Sequence, residues 1–210
     1  MGTQLSFDLV PRDIVFTIIS SLDKNERFPL LFVSKEINLY IKHQKIQFDY
    51  FQIINNSVSV GNIELLKLYK QLGFPWNYSI CKLAARHGHF GILKWARENG
   101  CEWDYYTCMC AAENGHFDIL KWARQNECPW NFLTCSYAAR NGYFEILKWA
   151  KKSGCNLNSN ACIGATVNGN FEILKWAVEN GCPIDYSFIY SLAIKNNHPE
   201  IARWVKQHMY

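Results

Sequence analysis

The sequence repeats itself every 27 residues, and this period restricts the fold more than any other feature. The segment Ile92-Leu93-Lys94-Trp95-Ala96 returns at Ile119, Ile146 and Ile173, each time after a step of 27. A degenerate copy precedes it (Leu65-Leu66-Lys67-Leu68), and another, Ile201-Ala202-Arg203-Trp204, follows after a step of 28. Eight of the nine cysteines obey the same rule: Cys101, Cys128, Cys155 and Cys182 share one position, and Cys81, Cys108, Cys135 and Cys162 share another. Cys110 alone stands outside it. All eight tryptophans follow suit, with Trp95, Trp122, Trp149, Trp176 and Trp204 on one position and Trp76, Trp103 and Trp130 on a second.

Each unit reads as a helical hairpin. In the third, residues 107–114 form a short helix rich in small side chains (Ala111, Ala112), and Gly115 follows where a left-handed helix end is needed. A second helix runs from about residue 117 to 125, with Ile119, Leu120, Trp122 and Ala123 forming a broad apolar stripe. The segment Glu127-Cys128-Pro129-Trp130-Asn131 then carries a proline, which stops the helix and turns the chain. A hairpin of 27 residues cannot bury its own stripe, whereas stacked copies can, which is the logic of an α-solenoid. The helical tryptophans are therefore expected in the core between repeats. The loop set (Trp76, Trp103, Trp130) is open to a structural role or to lining a binding edge.

Composition narrows the function classes. With 49% hydrophobic and 19% charged residues, the 210-residue chain has material for a substantial core and is not a disordered tail. No apolar run approaches the roughly 18–20 residues needed to span a bilayer, and the longest candidate, residues 14–19, is interrupted by Thr17. The expectation is a soluble intracellular protein with no membrane partner. The net charge of +4 is mild for a nucleic-acid binder, which concentrates far more charge on one face. A recurrent basic position (Lys67, Lys94, Lys121, Lys148, Lys175, Arg203) has an acid three residues earlier in five of six cases, Glu64, Asp118, Glu145, Glu172 and Glu200. Such i,i+3 pairs describe a solvated, neutralised helix face rather than a phosphate-tracking ladder, so no nucleic-acid partner is expected.

Candidate chemistry is sparse. The cysteines show no CxxC pair and no zinc spacing, and they sit on structural repeat positions, so neither stoichiometric zinc nor a native disulfide is expected. No basic group or helix N-terminus stands reliably beside one of them to make a reactive thiolate. His89 and His116 begin second helices where Asn62, Tyr143, Asn170 and His198 sit in other units, a tolerance that fits a turn-and-cap role. There is no Ser/His/Asp set, paired carboxylates, phosphate loop or metal cluster. The expectation is a chain without catalysis, metal or cofactor.

The run Leu83-Ala84-Ala85-Arg86-His87-Gly88-His89-Phe90-Gly91-Ile92-Leu93-Lys94-Trp95, with Glu98-Asn99-Gly100-Cys101 after it, resembles the core of ankyrin repeats. The unit is shorter than the usual ~33 residues of that family, and such short units resemble the ankyrin-like arrays of giant DNA viruses and some protists. The resemblance covers about residues 50–210 and implies six units, near 49–75, 76–102, 103–129, 130–156, 157–183 and 184–210. It also implies a concave face built by the first helices. Two positions on that helix vary between units: Arg86, Glu113, Arg140, Val167 and Lys195, and, one turn earlier, Lys82, Met109, Ser136, Ile163 and Ser191. These rows are expected to form the floor of a target-binding groove, with Trp103, Tyr105, Trp130 and Phe132 as an aromatic rim.

Residues 5–48 break the period. Pro11 leads an amphipathic helix, at a position where a missing N–H costs nothing. Val10-Pro11, Asp13-Ile14-Val15, Ile18-Ile19-Ser20, Leu22-Asp23 and Phe32-Val33-Ser34-Lys35 resemble an F-box without a gap, although Ile37 replaces the family's usual Trp and Pro29 falls where a helical residue is expected. The resemblance implies a three-helix module that docks on a Skp-type adaptor through Val10, Pro11, Ile14, Ile18, Leu22, Val33 and Ser34. The implied protein is all-α: an F-box-like module followed by an ankyrin-like solenoid that selects a target protein for a cullin–RING ubiquitin ligase. The rival expectation is a scaffold or decoy without a ubiquitin link, its N-terminal helices only capping the array. Either role places the chain in the cytoplasm, a host's if the chain is viral, with the nucleus also open. The opening Met1-Gly2-Thr3-Gln4-Leu5-Ser6 fits a myristoylation pattern, but one acyl chain gives only marginal membrane binding.

Overall fold

The chain divides into two units, Met1–Asp49 and Tyr50–Tyr210. The structure, a computed structural model, describes residues 50–71 and 78–209. The expectations placed on Val10, Pro11, Ile14, Ile18, Leu22, Val33, Ser34 and Trp76 lie outside the described residues.

Those residues form twelve α-helices and no strand, arranged as six hairpins. The first helices are α1 (Tyr50–Ser59), α3 (Ser79–His87), α5 (Tyr105–Glu113), α7 (Phe132–Arg140), α9 (Ser159–Val167) and α11 (Tyr186–Lys195). The second helices are α2 (Ile63–Gln71), α4 (Phe90–Glu98), α6 (Phe117–Gln125), α8 (Phe144–Lys152), α10 (Phe171–Glu179) and α12 (Pro199–Gln207). Consecutive first helices pack directly on one another all along the series, an α-solenoid arrangement.

Local chemistry sets each boundary. Asp104, Asn131, Asn158 and Asp185 have extended backbones, and their side chains accept from backbone N–H groups two or three residues on, opening α5, α7, α9 and α11. This cap starts α5 at Tyr105, two residues before the expected start at Thr107. Between the helices of the third hairpin, Gly115 takes φ 78° while the His116 N–H reaches back to the Ala111 carbonyl at 2.9 Å. The second helices α4, α6, α8 and α10 end the same way, by left-handed backbone rather than by proline. Cys101, Cys155 and Cys182 donate to the carbonyls of Ala96, Ala150 and Ala177 at 2.9 Å, each just after a glycine with positive φ. In the third hairpin the equivalent left-handed residue is Glu127, at φ 64°. The helix has thus already stopped before Pro129 is reached.

The core is a stack of small and branched residues. Ala84 and Ala85, Ala111 and Ala112, and Ala138 and Ala139 are fully buried, as are Leu93, Leu120, Leu147 and Leu174 of the second helices. At Gly164 a Cβ would lie 2.9 Å from Arg140 Cβ and 3.1 Å from the Ser136 carbonyl oxygen, so α7 and α9 approach as closely as they do only because α9 has glycine there. The tryptophans differ from expectation. Trp95, Trp122, Trp149, Trp176 and Trp204 are half-buried, and the fully enclosed stripe is carried by the Ile, Leu and Ala of the same helices. Trp122, Trp149, Trp176 and Trp204 are instead wedged edge-on against the phenylalanine that opens the preceding second helix, as in Phe117–Trp149 at 5.6 Å and Phe144–Trp176 at 5.7 Å.

His89 and His116 also act differently from a cap. Neither makes a side-chain bond to its own helix. His89 Nε2 meets the Ser59 carbonyl at 3.0 Å and His116 Nε2 meets that of Arg86 at 3.1 Å, each on the first helix or turn of the preceding hairpin. A carbonyl can only accept, so Nε2 carries the proton in both. Asn170 performs the same task through Nδ2, donating to the Ala139 and Arg140 carbonyls at 2.9 and 2.7 Å. The side chain crosses over the turn glycine beneath it. A Cβ at Gly115 would sit 2.5 Å from the Tyr143 ring.

Two substitutions test this account of the turns. Glu127→Gly relieves a left-handed non-glycine residue and should raise unfolding free energy by about 1 kcal/mol. Gly115→Ala imposes both the left-handed strain and the collision with Tyr143, so it should lower stability by more than about 1 kcal/mol. Urea unfolding monitored by circular dichroism measures both; an unchanged or lower midpoint for Glu127→Gly would refute the first.

Candidate functional site

The second-helix face is chemically occupied. Lys67, Lys121, Lys148 and Lys175 each reach the acid three residues earlier, at 2.7, 3.8, 2.5 and 2.6 Å. Lys94, which lacks that acid, lies over the Phe90 ring at 4.2 Å, and Lys121, Lys148 and Lys175 cover Phe117, Phe144 and Phe171 in the same way. A cation engaged by both a carboxylate and a ring is a poor phosphate ligand.

Trp103 and Trp130 pack on side chains of this face too, rather than on the first helices. Arg97 stacks on Trp103 at 4.1 Å and Trp103 meets Trp122 edge-on at 5.7 Å. Arg124 on Trp130 (4.3 Å) and Trp130 against Trp149 (5.8 Å) repeat the arrangement one hairpin on. Both indoles are clamped between second-helix side chains and present little free ring. Tyr105 and Phe132, the first residues of α5 and α7, are half-buried, and Tyr105 lies against Tyr106 with centroids 4.3 Å apart.

The first-helix face is where the structure leaves side chains open. Arg86, Arg140 and Lys195 are exposed, and Glu113 and Val167 are half-buried beside them. Arg86 and Glu113 join adjacent hairpins through a 3.4 Å ion pair. The row one turn earlier is mixed. Lys82 is half-buried with its ammonium 5.9 Å from the Tyr106 ring, whereas Met109 is only 7% exposed and is a packing residue. Ser136 is likewise enclosed, bonding the Phe132 carbonyl at 2.9 Å and Asn158 Oδ1 at 3.4 Å. Close contact between neighbouring first helices takes up these two positions, so the open floor reduces to Lys82, Arg86, Glu113 and Arg140, with Ser191 and Lys195 further along.

The cysteines make an arrangement that their two separate rows did not reveal. All nine are buried. Cys162 Sγ donates to Cys182 Sγ at 2.8 Å; Cys81, Cys108 and Cys135 each interact with the thiol 20 residues on, Cys101, Cys128 and Cys155, and Cys108 Sγ also donates to the Cys128 carbonyl at 3.9 Å. The donors Cys81, Cys108, Cys135 and Cys162 are pushed far up in pKa, first by that bond and then by burial. Accepting the bond holds Cys101, Cys155 and Cys182 below the usual thiol value. Basic groups reinforce this: Arg97 and Lys70 near Cys101, Arg124 and Lys151 near Cys155, and Lys151 near Cys182. The signal was in the sequence, as a constant separation of 20 within four consecutive units, because each hairpin returns the chain to its own base.

Among the described residues, no group of three or more His, Cys, Asp or Glu is placed to hold a metal ion, and no helix is long and apolar enough to cross a membrane. No family model matches the chain, and no curated protein matches it in sequence.

The two faces make opposite predictions. Trp149→Ala removes a half-buried indole from Phe117 and Trp130 together and should cost about 3 kcal/mol. Lys121→Ala should cost less than about 0.5 kcal/mol, because its carboxylate and ring contacts are solvent-exposed. Buried Thr134 Oγ1 has no hydrogen-bond partner, so Thr134→Val should be neutral or slightly stabilising. Thermal unfolding of the three variants checks the ranking.

Proposed function

We propose that the chain is a protein-interaction adaptor whose first-helix face binds a target protein. The observation that carries the reading is a division of labour among repeat positions. Those holding one residue type are buried or engaged on the second-helix face, whereas those that change from unit to unit include the exposed Arg86, Arg140 and Lys195. A shared scaffold with a varying open row is what a recognition surface on a repeat protein requires. The open row is net cationic, which favours a target segment bearing carboxylates.

The resemblance of residues 5–48 to an F-box supports the second half of the proposal. In it, Val10, Pro11, Ile14, Ile18, Leu22, Val33 and Ser34 hold a Skp-type adaptor, and the ankyrin-like array delivers its target to a cullin–RING ubiquitin ligase. The transfer chemistry belongs to the partner subunits, and this chain contributes selection and placement.

Two experiments test the two halves separately. Pro11→Ala with Ile14→Ala should abolish co-purification of a Skp-type protein from cell extract while leaving helical circular dichroism unchanged. Equal recovery from variant and parent would leave a scaffold or decoy role in place of the ligase role. Arg86→Glu with Arg140→Glu should weaken capture of the target about tenfold or more without lowering the melting temperature. Normal capture by that variant, with loss on substituting Lys94 and Lys121, would move the binding surface to the opposite face.

A further inference from the structure

The cysteine pairs are more uniform than packing demands. A buried position in a helical hairpin accepts any small or branched apolar residue, and this chain shows as much: Ile54 and Ile189 are buried where other hairpins have Cys81, Cys108, Cys135 and Cys162. Where the first-helix thiol is replaced, its partner is replaced as well. Phe74 stands 27 residues before Cys101, and Tyr210 stands 28 after Cys182. At these two repeat positions thiols occur as a pair or not at all, which is the pattern of a function shared between two sulfur atoms.

Geometry says what that function is. Cys162 Sγ and Cys182 Sγ are 2.8 Å apart, and a disulfide bond is about 2.05 Å long, so a shift of less than an ångström separates the two states. Three of the four second-row thiols are also held in place from behind, Cys128, Cys155 and Cys182 donating to the cap-residue carbonyls of Asp104, Asn131 and Asn158 at 3.5, 3.2 and 3.0 Å. Enclosure excludes bulky reagents, since Cys162 is wholly buried and Cys182 is 4% exposed. A small, neutral oxidant is the one that fits.

We propose that the four pairs Cys81/Cys101, Cys108/Cys128, Cys135/Cys155 and Cys162/Cys182 are oxidation sites, each closing to a disulfide within its own hairpin on reaction with hydrogen peroxide. The second-row sulfur is the nucleophile, once it has released the proton that Cys128, Cys155 and Cys182 share with a cap carbonyl. As the thiolate it attacks one peroxide oxygen, the O–O bond breaks, and the departing hydroxide takes up the proton that the thiol released, giving a sulfenic acid and water. The first-row sulfur then displaces the sulfenic oxygen, which leaves as a second water carrying the first-row proton. Two thiols and one peroxide become one disulfide and two waters. The sulfur atoms lose two electrons and the peroxide oxygens gain them. A dithiol reductant reverses the change. Cys110, buried but outside the pairs, is the internal control.

The test uses the purified full chain. It is treated with hydrogen peroxide while folded, quenched with acid, alkylated at its remaining thiols and mapped by mass spectrometry without reduction. The expected result is four cross-linked peptide pairs with the within-hairpin connectivity, alkylation retained at Cys110, and recovery of all nine alkylation sites after dithiothreitol. Cys182→Ser should leave Cys162 alkylatable and the other three bridges intact. Three results would each overturn the proposal: bridges between hairpins, such as Cys108 to Cys155; sulfinic acid at Cys101, Cys155 or Cys182 without bridging; or no bridge in the folded chain under peroxide that oxidises the denatured one.

Discussion

Everything in this array depends on how closely one first helix can approach the next. The approach is set by alanine pairs at 84–85, 111–112 and 138–139 and by Gly164, all buried with essentially no exposed area or with no room for a Cβ. Side chains of ordinary size there would hold the hairpins apart. The cross-hairpin bonds from His89, His116 and Asn170 would then fall short of the carbonyls they now meet near 3 Å. Those bonds satisfy carbonyls at the C-terminal ends of first helices, which have no partner within their own helix. Small residues and turn glycines therefore act together: the first bring the helices in, and the second leave space for the ring or amide that ties them.

The same closeness divides the surface into two chemical regions. On the second-helix side, lysines are neutralised by acids and cover phenylalanine rings, while arginines cover the loop tryptophans. Nearly every charge and aromatic there is answered within the fold. On the first-helix side the tight spacing absorbs Met109 and Ser136 but pushes Arg86 and Arg140 outward, one turn along. The surface that remains free to recognise something is thus a by-product of the packing that holds the array together.

How much of this was legible in the sequence follows from the range of the forces involved. The second helix of the third hairpin runs over the residues expected, 117–125, because its apolar period and its ends are both local signals. The early start of α5 reflects an aspartate cap whose effect reaches two residues. Features set by neighbouring hairpins were not legible. Five tryptophans on one helical position look like core, yet the indole is too large for a stack spaced by alanines and is left half outside. His116 resembles a cap until the preceding Arg86 carbonyl is placed within reach. The cysteine pairs lie between these cases: their spacing was visible, but that a separation of 20 brings sulfur to sulfur depends on where a folded hairpin ends.

The bonds that close a hairpin and those that join hairpins draw on different residues. Caps such as Asn131 and Asn158, the left-handed helix ends and the cysteine pairs all fall within a single 27-residue stretch. What passes between neighbours is a short, recurring set: a small-residue face, one turn glycine and one side chain reaching back over it. Every interior hairpin consequently offers its successor the same socket that it received. Copying or deleting one whole period in the DNA would leave the joints matched. Such a chain can lengthen or shorten its open first-helix row in evolution by counting in units, and each new copy begins with its open positions free to diverge.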